Sequence, residues 1–432
     1  MKNRNEILNK LGIDSLNDMQ KEAISAIGDN RQVILLSPTG TGKTLAFLLP
    51  LIEKMDPDII GVQTLILVPS RELAIQIEQV ARDMGSGFKV NAFYGGRSFS
   101  KDKLELDHPP SILIGTPGRI ADHLRRDTFS TTIIKTVILD EFDKSLEVGF
   151  EEEMFEIISA LPALENKILT SATSSASLPA FVGLKSPKII DYLSDFTNSL
   201  SLKIIESPKK DKLPALCNAL LHLQNKAGIV FCNFRDAAER VSQGLSDKNI
   251  SHGLFHGGME QIDRERTLIK FRNQSINLIV STDLAARGID IPELDFIIHY
   301  HLPARKHEFI HRNGRTARMN AKGTAYILKW MDETLPDYIP NAEIHKWDSE
   351  VPPVEDQWVT VFVSGGRKDK ISKGDIAGLF YKQGKLRKDQ LGTIELKQDC
   401  AFVAVHRDKV QQLITLVDNS RLKKKKVRVK KV

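Results

Sequence analysis

The chain is poor in cysteine, with three in 432 residues, at Cys217, Cys232 and Cys400. The number is odd and no pair has metal-ligand spacing, so neither a disulfide framework nor a structural zinc site is expected. No apolar run approaches the ~18 residues needed to span a bilayer, which argues against an integral membrane protein. No apolar signal core follows Met1-Lys2-Asn3-Arg4-Asn5-Glu6. The expected setting is a reducing one, the cytoplasm, with no membrane partner and a monomeric chain. No internal repeat is visible beyond an approximate doubling described below.

Hydrophobic residues make up 41% and charged residues 27%, the balance of a globular chain. Its length suggests about three domains of ~150 residues. The net charge of +6 is unevenly placed: residues 354–432 carry +10 and residues 1–353 carry −4. A basic terminal module on a mildly acidic body suggests a polyanion, nucleic acid ahead of membrane, with a merely solvated basic tail as the alternative.

Short β-branched apolar runs at 33–36, 64–68, 111–114, 136–139 and 167–170 each lead into turn residues and then a helical pattern. Continuous apolar strands alternating with helices describe a parallel sheet covered on both faces. The pattern pauses over the polar stretch 191–212 and restarts at 228–232, 277–281, 295–299 and 324–328. Two α/β domains are expected, 1–204 and 205–346, then a Pro- and acid-rich linker, 347–357. Residues 358–432 change rhythm to strand, helix, strand, strand, helix, strand, ending on Lys426-Val427-Arg428-Val429-Lys430 with period two. That order is the split βαβ sandwich of RNA-recognition folds.

Ser37-Pro38-Thr39-Gly40-Thr41-Gly42-Lys43-Thr44 follows the first strand and opens a helix. Gly40 and Gly42 let the backbone amides around Thr39 and Thr41 turn toward a polyphosphate at the helix N-terminus. Lys43 supplies charge to the outer phosphates and Thr44 a hydroxyl ligand for Mg²⁺. The strict pattern has glycine where this chain has Ser37. Asp140 and Glu141 stand at the end of the 136–139 strand, at the ligand-binding end of such a sheet. Asp140 would hold the metal through water, and Glu141 would orient or deprotonate the attacking water. In the second domain Arg315 and Arg318 share a helix face and could neutralise charge developing on the γ-phosphate. A plain basic helix face is the alternative.

This ordered set resembles the DEAD-box RNA helicases. With it come Pro69-Ser70-Arg71-Glu72-Leu73-Ala74, Gly95-Gly96, Thr116-Pro117-Gly118-Arg119 and Ser171-Ala172-Thr173. Phe231-Cys232-Asn233, Gln261-Ile262-Asp263-Arg264 and the run from Ser281 to Asp290 complete it. The resemblance covers about residues 10–330 and implies two RecA-like domains that close around ATP and single-stranded RNA. It implies RNA contacts from Arg71, Gly96, Thr116, Arg119, Gln261, Arg264 and Thr282, of the kind that hold a strand without reading its sequence. It further implies coupling of hydrolysis to closure by Ser171 and Thr173, nucleotide contact at Gly288 and Asp290, and adenine recognition by Gln20. Three departures stand out: Phe142 replaces alanine, the Pro-Thr-Pro lead-in before Gln20 is missing, and Asn313 and Ala317 replace an aliphatic residue and glycine.

Residues 358–432 resemble the RNA-binding domain of DbpA-like helicases through Phe362–Ile371, Lys373–Gly378 and Leu391–Leu396. The resemblance implies attachment to structured large-subunit ribosomal RNA and to pre-50S-type particles. Phe362 and Phe402 hold the aromatic positions of an RNA-recognition sheet, with burial under neighbouring structure an equal alternative. Arg367, Lys368 and Lys370 are expected to carry RNA contacts. The chain is thus expected to be an RNA-dependent ATPase and helicase with a ribosomal target. A non-hydrolysing ATP-binding RNA scaffold, or action on other structured RNA, is the alternative. In this picture the module is a tether, and removing it should leave turnover on generic RNA intact.

Overall fold

A computed structural model describes residues 2–432 apart from 39, 148, 174–179, 194–199, 284–293, 317–322, 348–350 and 353. The first unit is built on a parallel sheet of β1 (Gln32–Leu36), β2 (Thr64–Leu67), β3 (Val90–Phe93), β4 (Ile112–Gly115), β5 (Thr136–Leu139), β6 (Asn166–Ser171) and β7 (Lys188–Asp191). Their order is β3-β4-β2-β5-β6-β1-β7. β2, β3 and β4 are buried at every position, because helices cover both faces and leave no reason for alternation.

The second unit opens on a matching parallel sheet. It contains β8 (Leu200–Ser207), β9 (Gly228–Cys232), β10 (Gly253–Phe255), β11 (Leu278–Thr282), β12 (Phe296–His299), β13 (Gly323–Trp330) and β14 (Glu343–Ile344). The order is β10-β11-β9-β12-β13-β8-β14. Both sheets are RecA-like. The stretch 191–212 is therefore not a structural pause: it holds β8, paired along its whole length with β13. β8 mixes polar residues among its apolar ones because it lies near the sheet edge and is only partly covered.

The same unit continues into a small α+β module. An antiparallel sheet, β16 (Leu391–Leu396), β17 (Ala401–His406), β15 (Trp358–Val363) and β20 (Val429–Lys431) in that order, carries the helices Lys373–Lys382 and Val410–Val417 on one face. β18 (Arg421–Leu422) and β19 (Lys425–Lys426) form a two-stranded ribbon before the last strand. Ser372 caps the first helix in a capping box with Asp375. Among the described residues no helix is long and apolar enough to cross a membrane.

Candidate nucleotide and RNA sites

The phosphate loop of the first unit runs from β1 into the helix Lys43–Lys54. Gly40 and Gly42 have φ of 87° and 86°, conformations that exclude most side chains. A Cβ at position 42 would also lie 2.3 Å from Gln20 Nε2. Ser37 Oγ donates to Thr41 Oγ1 (2.8 Å), which donates to the Pro38 carbonyl (2.9 Å). The serine that departs from the strict pattern thus braces the loop internally. Lys43 Nζ donates to the carbonyls of Ser37 (2.6 Å) and Pro38 (2.8 Å). Gln20 lies against this loop, since Nε2 donates to the Gly42 carbonyl (3.3 Å) and Oε1 accepts from Asn17 N (3.1 Å). Asn17 Nδ2 in turn donates to the Thr41 carbonyl (3.0 Å), fixing the helix Asp18–Asp29 beside the phosphate loop. Thr39 lies outside the described residues.

Asp140 and Glu141 are buried at the C-terminal end of β5. Asp140 Oδ1 accepts from the Glu141 amide (3.1 Å) and from the Thr170 hydroxyl. Burial pushes the Asp140 carboxyl above the ordinary aspartate range, and Thr170 and the Lys43 charge pull against it. Glu141 adopts φ 49°, uncommon for a residue with a side chain, as the chain turns sharply from strand into the helix Phe142–Glu147. Thr173 Oγ1 donates to Asp143 Oδ2 (3.0 Å), and Ser171 Oγ donates to the Thr173 carbonyl (2.8 Å). Thr173 is thereby joined directly to the acidic turn, and Ser171 to it through Thr173. Phe142 packs into the core beneath it. Thr44, in the first turn of the phosphate-loop helix, and the buried Asp140 carboxylate offer the oxygen ligands Mg²⁺ prefers.

Of the residues expected to meet RNA in this unit, Arg71 begins the helix Arg71–Met84 and lies over the Gly95-Gly96 turn. A Cβ at position 96 would come within 2.6 Å of its Nη1. Thr116 is the N-cap of the helix Pro117–Arg125 without using its hydroxyl for capping. Arg119 is differently placed: Nε donates to Asp102 Oδ2 (2.8 Å), Nη2 to the Arg97 carbonyl (2.9 Å), and the guanidinium lies over Phe99. Most of its fork is committed within the domain.

In the second unit, Gln261 opens the helix Gln261–Arg272, and Arg264 lies one turn later over the Phe255 ring. Thr282 ends β11. Arg315 is buried just past the helix Lys306–Asn313. Gly288, Asp290 and Arg318 lie outside the described residues. The sequence reading missed Arg312, which is fully buried. Its guanidinium makes a two-pronged contact with Asp283 and donates to Asn233 Oδ1 (2.8 Å) and the His301 carbonyl. A signal was present, since Asn233 and Asp283 lie in the motifs Phe231-Cys232-Asn233 and Ser281 to Asp290 and Arg312 lies three residues before Arg315, but spacing cannot show that three motifs share one cation. Asn313 Oδ1 accepts from His299 Nε2 (3.0 Å), which gives the departure at 313 a local role. Burial and the neighbouring Arg312 push His299 down to about 3.

In the module, Arg367, Lys368 and Lys370 are exposed on a short 3₁₀ turn and its end. Phe362 and Phe402 meet edge to face at 5.6 Å, with Lys430 over the Phe362 ring. Phe402 is buried, so the two do not present an open stacking platform.

Comparison with known proteins matches residues 17–180 to the DEAD/DEAH box helicase family, 211–320 to the helicase conserved C-terminal domain and 360–431 to the DbpA RNA binding domain. The ATP-dependent RNA helicase DbpA of Escherichia coli is 31% identical, over 98% of this chain and 96% of that protein. The Bacillus subtilis protein of the same name is 28% identical over the same shares. Among solved structures, yeast Dbp5 bound to RNA and ADP BeF3 superposes with a TM-score of 0.68 at 26% identity, covering 76% of this chain and 88% of that one.

Proposed function

Because the chain belongs to the DEAD-box family and is a DbpA-like ATP-dependent RNA helicase, we propose that its cytoplasmic target is structured large-subunit ribosomal RNA in assembling particles. We further assign the chemistry residue by residue. Lys43 and the amides of residues 39–44 hold the triphosphate, with Gln20 at the base and Gly288 and Asp290 at the sugar. Glu141 orients the water and accepts its proton, while Arg315 and Arg318 neutralise charge on the γ-phosphate. Thr44 and Asp140 would hold Mg²⁺, which when bound screens the phosphate oxygens. Ser171 and Thr173 pass the state of the acidic turn to the strand-binding surface. Arg71, Gly96, Thr116, Arg119, Gln261, Arg264 and Thr282 grip the RNA backbone. Arg119 joins that grip only by releasing Asp102. Arg367, Lys368 and Lys370 of the module attach to structured RNA.

The observation that carries the catalytic part is the buried bond between Thr173 and Asp143, which ties the acidic turn to the Ser171-Ala172-Thr173 segment. Phosphate release with and without RNA tests it: Lys43→Ala and Glu141→Gln should each abolish RNA-stimulated turnover, and wild-type turnover in either would refute the assignment. For the target, crosslinking the full chain to cellular RNA should map to large-subunit rRNA. Crosslinks spread evenly over messenger RNA would favour a general remodelling role instead.

A further inference from the structure

Alternation along β15 places Val359, Val361 and Val363 in the module's core and Trp358, Thr360 and Phe362 on the opposite face. The second RecA-like domain covers part of that opposite face. Ser275 and Asn273, just past the helix Gln261–Arg272, both hydrogen-bond to Thr360 Oγ1 (2.6 and 3.3 Å). Two strands away, Glu395 of β16 receives Arg272 Nη2 at 2.8 Å and Nε at 3.2 Å. Lys397 bridges Glu395 (2.9 Å) and Glu265 (2.8 Å).

The four charges alternate in sign, Glu265, Lys397, Glu395, Arg272. Glu265 and Arg272 are two helical turns apart and so lie on one face of the helix. Glu395 and Lys397 are two residues apart and so share a strand direction. The end of β16 therefore spans the helix from Glu265 to Arg272 like a splint. Although burial opposes it, Arg272 and Lys397 hold the Glu395 carboxyl below its usual range, and the two glutamates hold Lys397 above its own. The N-terminal turn of the same helix carries Gln261 and Arg264.

We propose that Arg272, Glu265, Glu395 and Lys397 are positioning residues for RNA binding. By clamping the helix from Glu265, next to Arg264, to its last residue Arg272, they set where Gln261 and Arg264 meet the RNA backbone. The module thus contributes to the core's grip on any RNA, beyond recruiting structured RNA. This rests on the reading of Gln261 and Arg264 as RNA contacts. Hydrogen bonds tolerate only about 0.5 Å of donor–acceptor variation, so a small slide or roll of the helix is enough to weaken them.

The test uses the full-length protein and a 12-nucleotide oligouridylate, which carries no ribosomal sequence. Two quantities are read: the RNA concentration giving half-maximal ATPase stimulation, and turnover at saturating RNA. Arg272→Glu and Glu395→Arg should each raise the half-saturating concentration about five- to tenfold. Saturated and RNA-free turnover should stay within about twofold of wild type, and the double exchange should restore the half-saturation point. A merely structural role would lower active fraction, and hence turnover, without moving that point. Should a reversal fail to fold by thermal melt, Glu395→Gln serves the same split: a raised half-saturation point supports the clamp and an unmoved one overturns it. Arg264→Ala is run alongside. If it weakens RNA dependence while the clamp variants do not, the clamp is wrong and the RNA reading of the helix stands. If Arg264→Ala changes nothing, both fall together.

Discussion

Acidification should destabilise the second RecA-like domain through His299. The imidazole is fully buried beside the Arg312 guanidinium, and its pKa is pushed from 6.5 down to about 3. A histidine held neutral in the fold binds a proton only in the unfolded chain once the pH drops below 6.5. Its contribution to stability is therefore fully present above 6.5 and is lost as pH falls from there toward 3. Between pH 7.5 and 5 the unfolded state gains a proton with a free energy of about 2 kcal/mol, at 1.36 kcal/mol per unit over 1.5 units. For a domain of this size that corresponds to a fall in Tm of about 4–8 °C. His301 and His256 are also shifted down by burial and add in the same direction. The assay is therefore a difference: urea unfolding of wild type and His299→Gln at both pH values. The variant is expected to be less stable at pH 7.5 yet to lose about 2 kcal/mol less on acidification. Equal losses in the two proteins would refute the reasoning.

Other expectations follow from single positions. Phe142→Ala, which installs the family's usual residue, empties a core site and should cost about 3–5 kcal/mol by chemical denaturation; a cost under about 1 kcal/mol would mean that the site collapses without penalty. Gly96→Ala combines a φ of 84° with a Cβ 2.6 Å from Arg71 Nη1, so the half-saturating RNA concentration in an ATPase assay should rise several-fold. Unchanged RNA dependence would place Arg71 away from the strand. Asp283→Ala leaves the buried Arg312 without its carboxylate, and its melting curve should show a loss of about 3 kcal/mol, the low end for a broken buried pair because Asp283 is partly exposed.

Much of the fold was legible because buried parallel strands read as uninterrupted apolar runs, as at Thr64–Leu67 and Thr136–Leu139. β3 escaped notice because Asn91 interrupts Val-Asn-Ala-Phe. That asparagine is buried and donates to Glu105 Oε2 (2.6 Å), a partner 14 residues on that no strand or helix period points to. β10 and β14 are three and two residues long, below any usable period. The phosphate loop and the acidic turn were legible because their chemistry depends on consecutive residues. The Arg312 hub was not, because its partners come from three separate strand ends and its function is burial. The cover on the module's sheet was hidden for the same reason: Thr360 looks like any strand threonine until Ser275 and Asn273 are brought to it.

Three departures, Ser37 from the strict phosphate-loop pattern and Asn313 and Phe142 from the family's, share a physical logic. Ser37 stands where the strict phosphate-loop pattern has glycine and spends its hydroxyl on Thr41, so a side chain takes over part of the stiffening of the loop. Asn313 replaces an aliphatic residue and gives the buried His299 an acceptor, so that a neutral ring can stand beside Arg312 with its N–H satisfied. Phe142 replaces alanine and fills the core under the acidic turn without touching either carboxylate's position in the chain. Each change is absorbed by a neighbour at hydrogen-bond or packing distance, whereas Lys43, Asp140, Glu141 and Arg315 remain the residues the pattern has. The catalytic reading proposed above rests on those residues, and substitutions at Ser37, Phe142 and Asn313 are expected to move denaturation midpoints more than RNA-stimulated turnover.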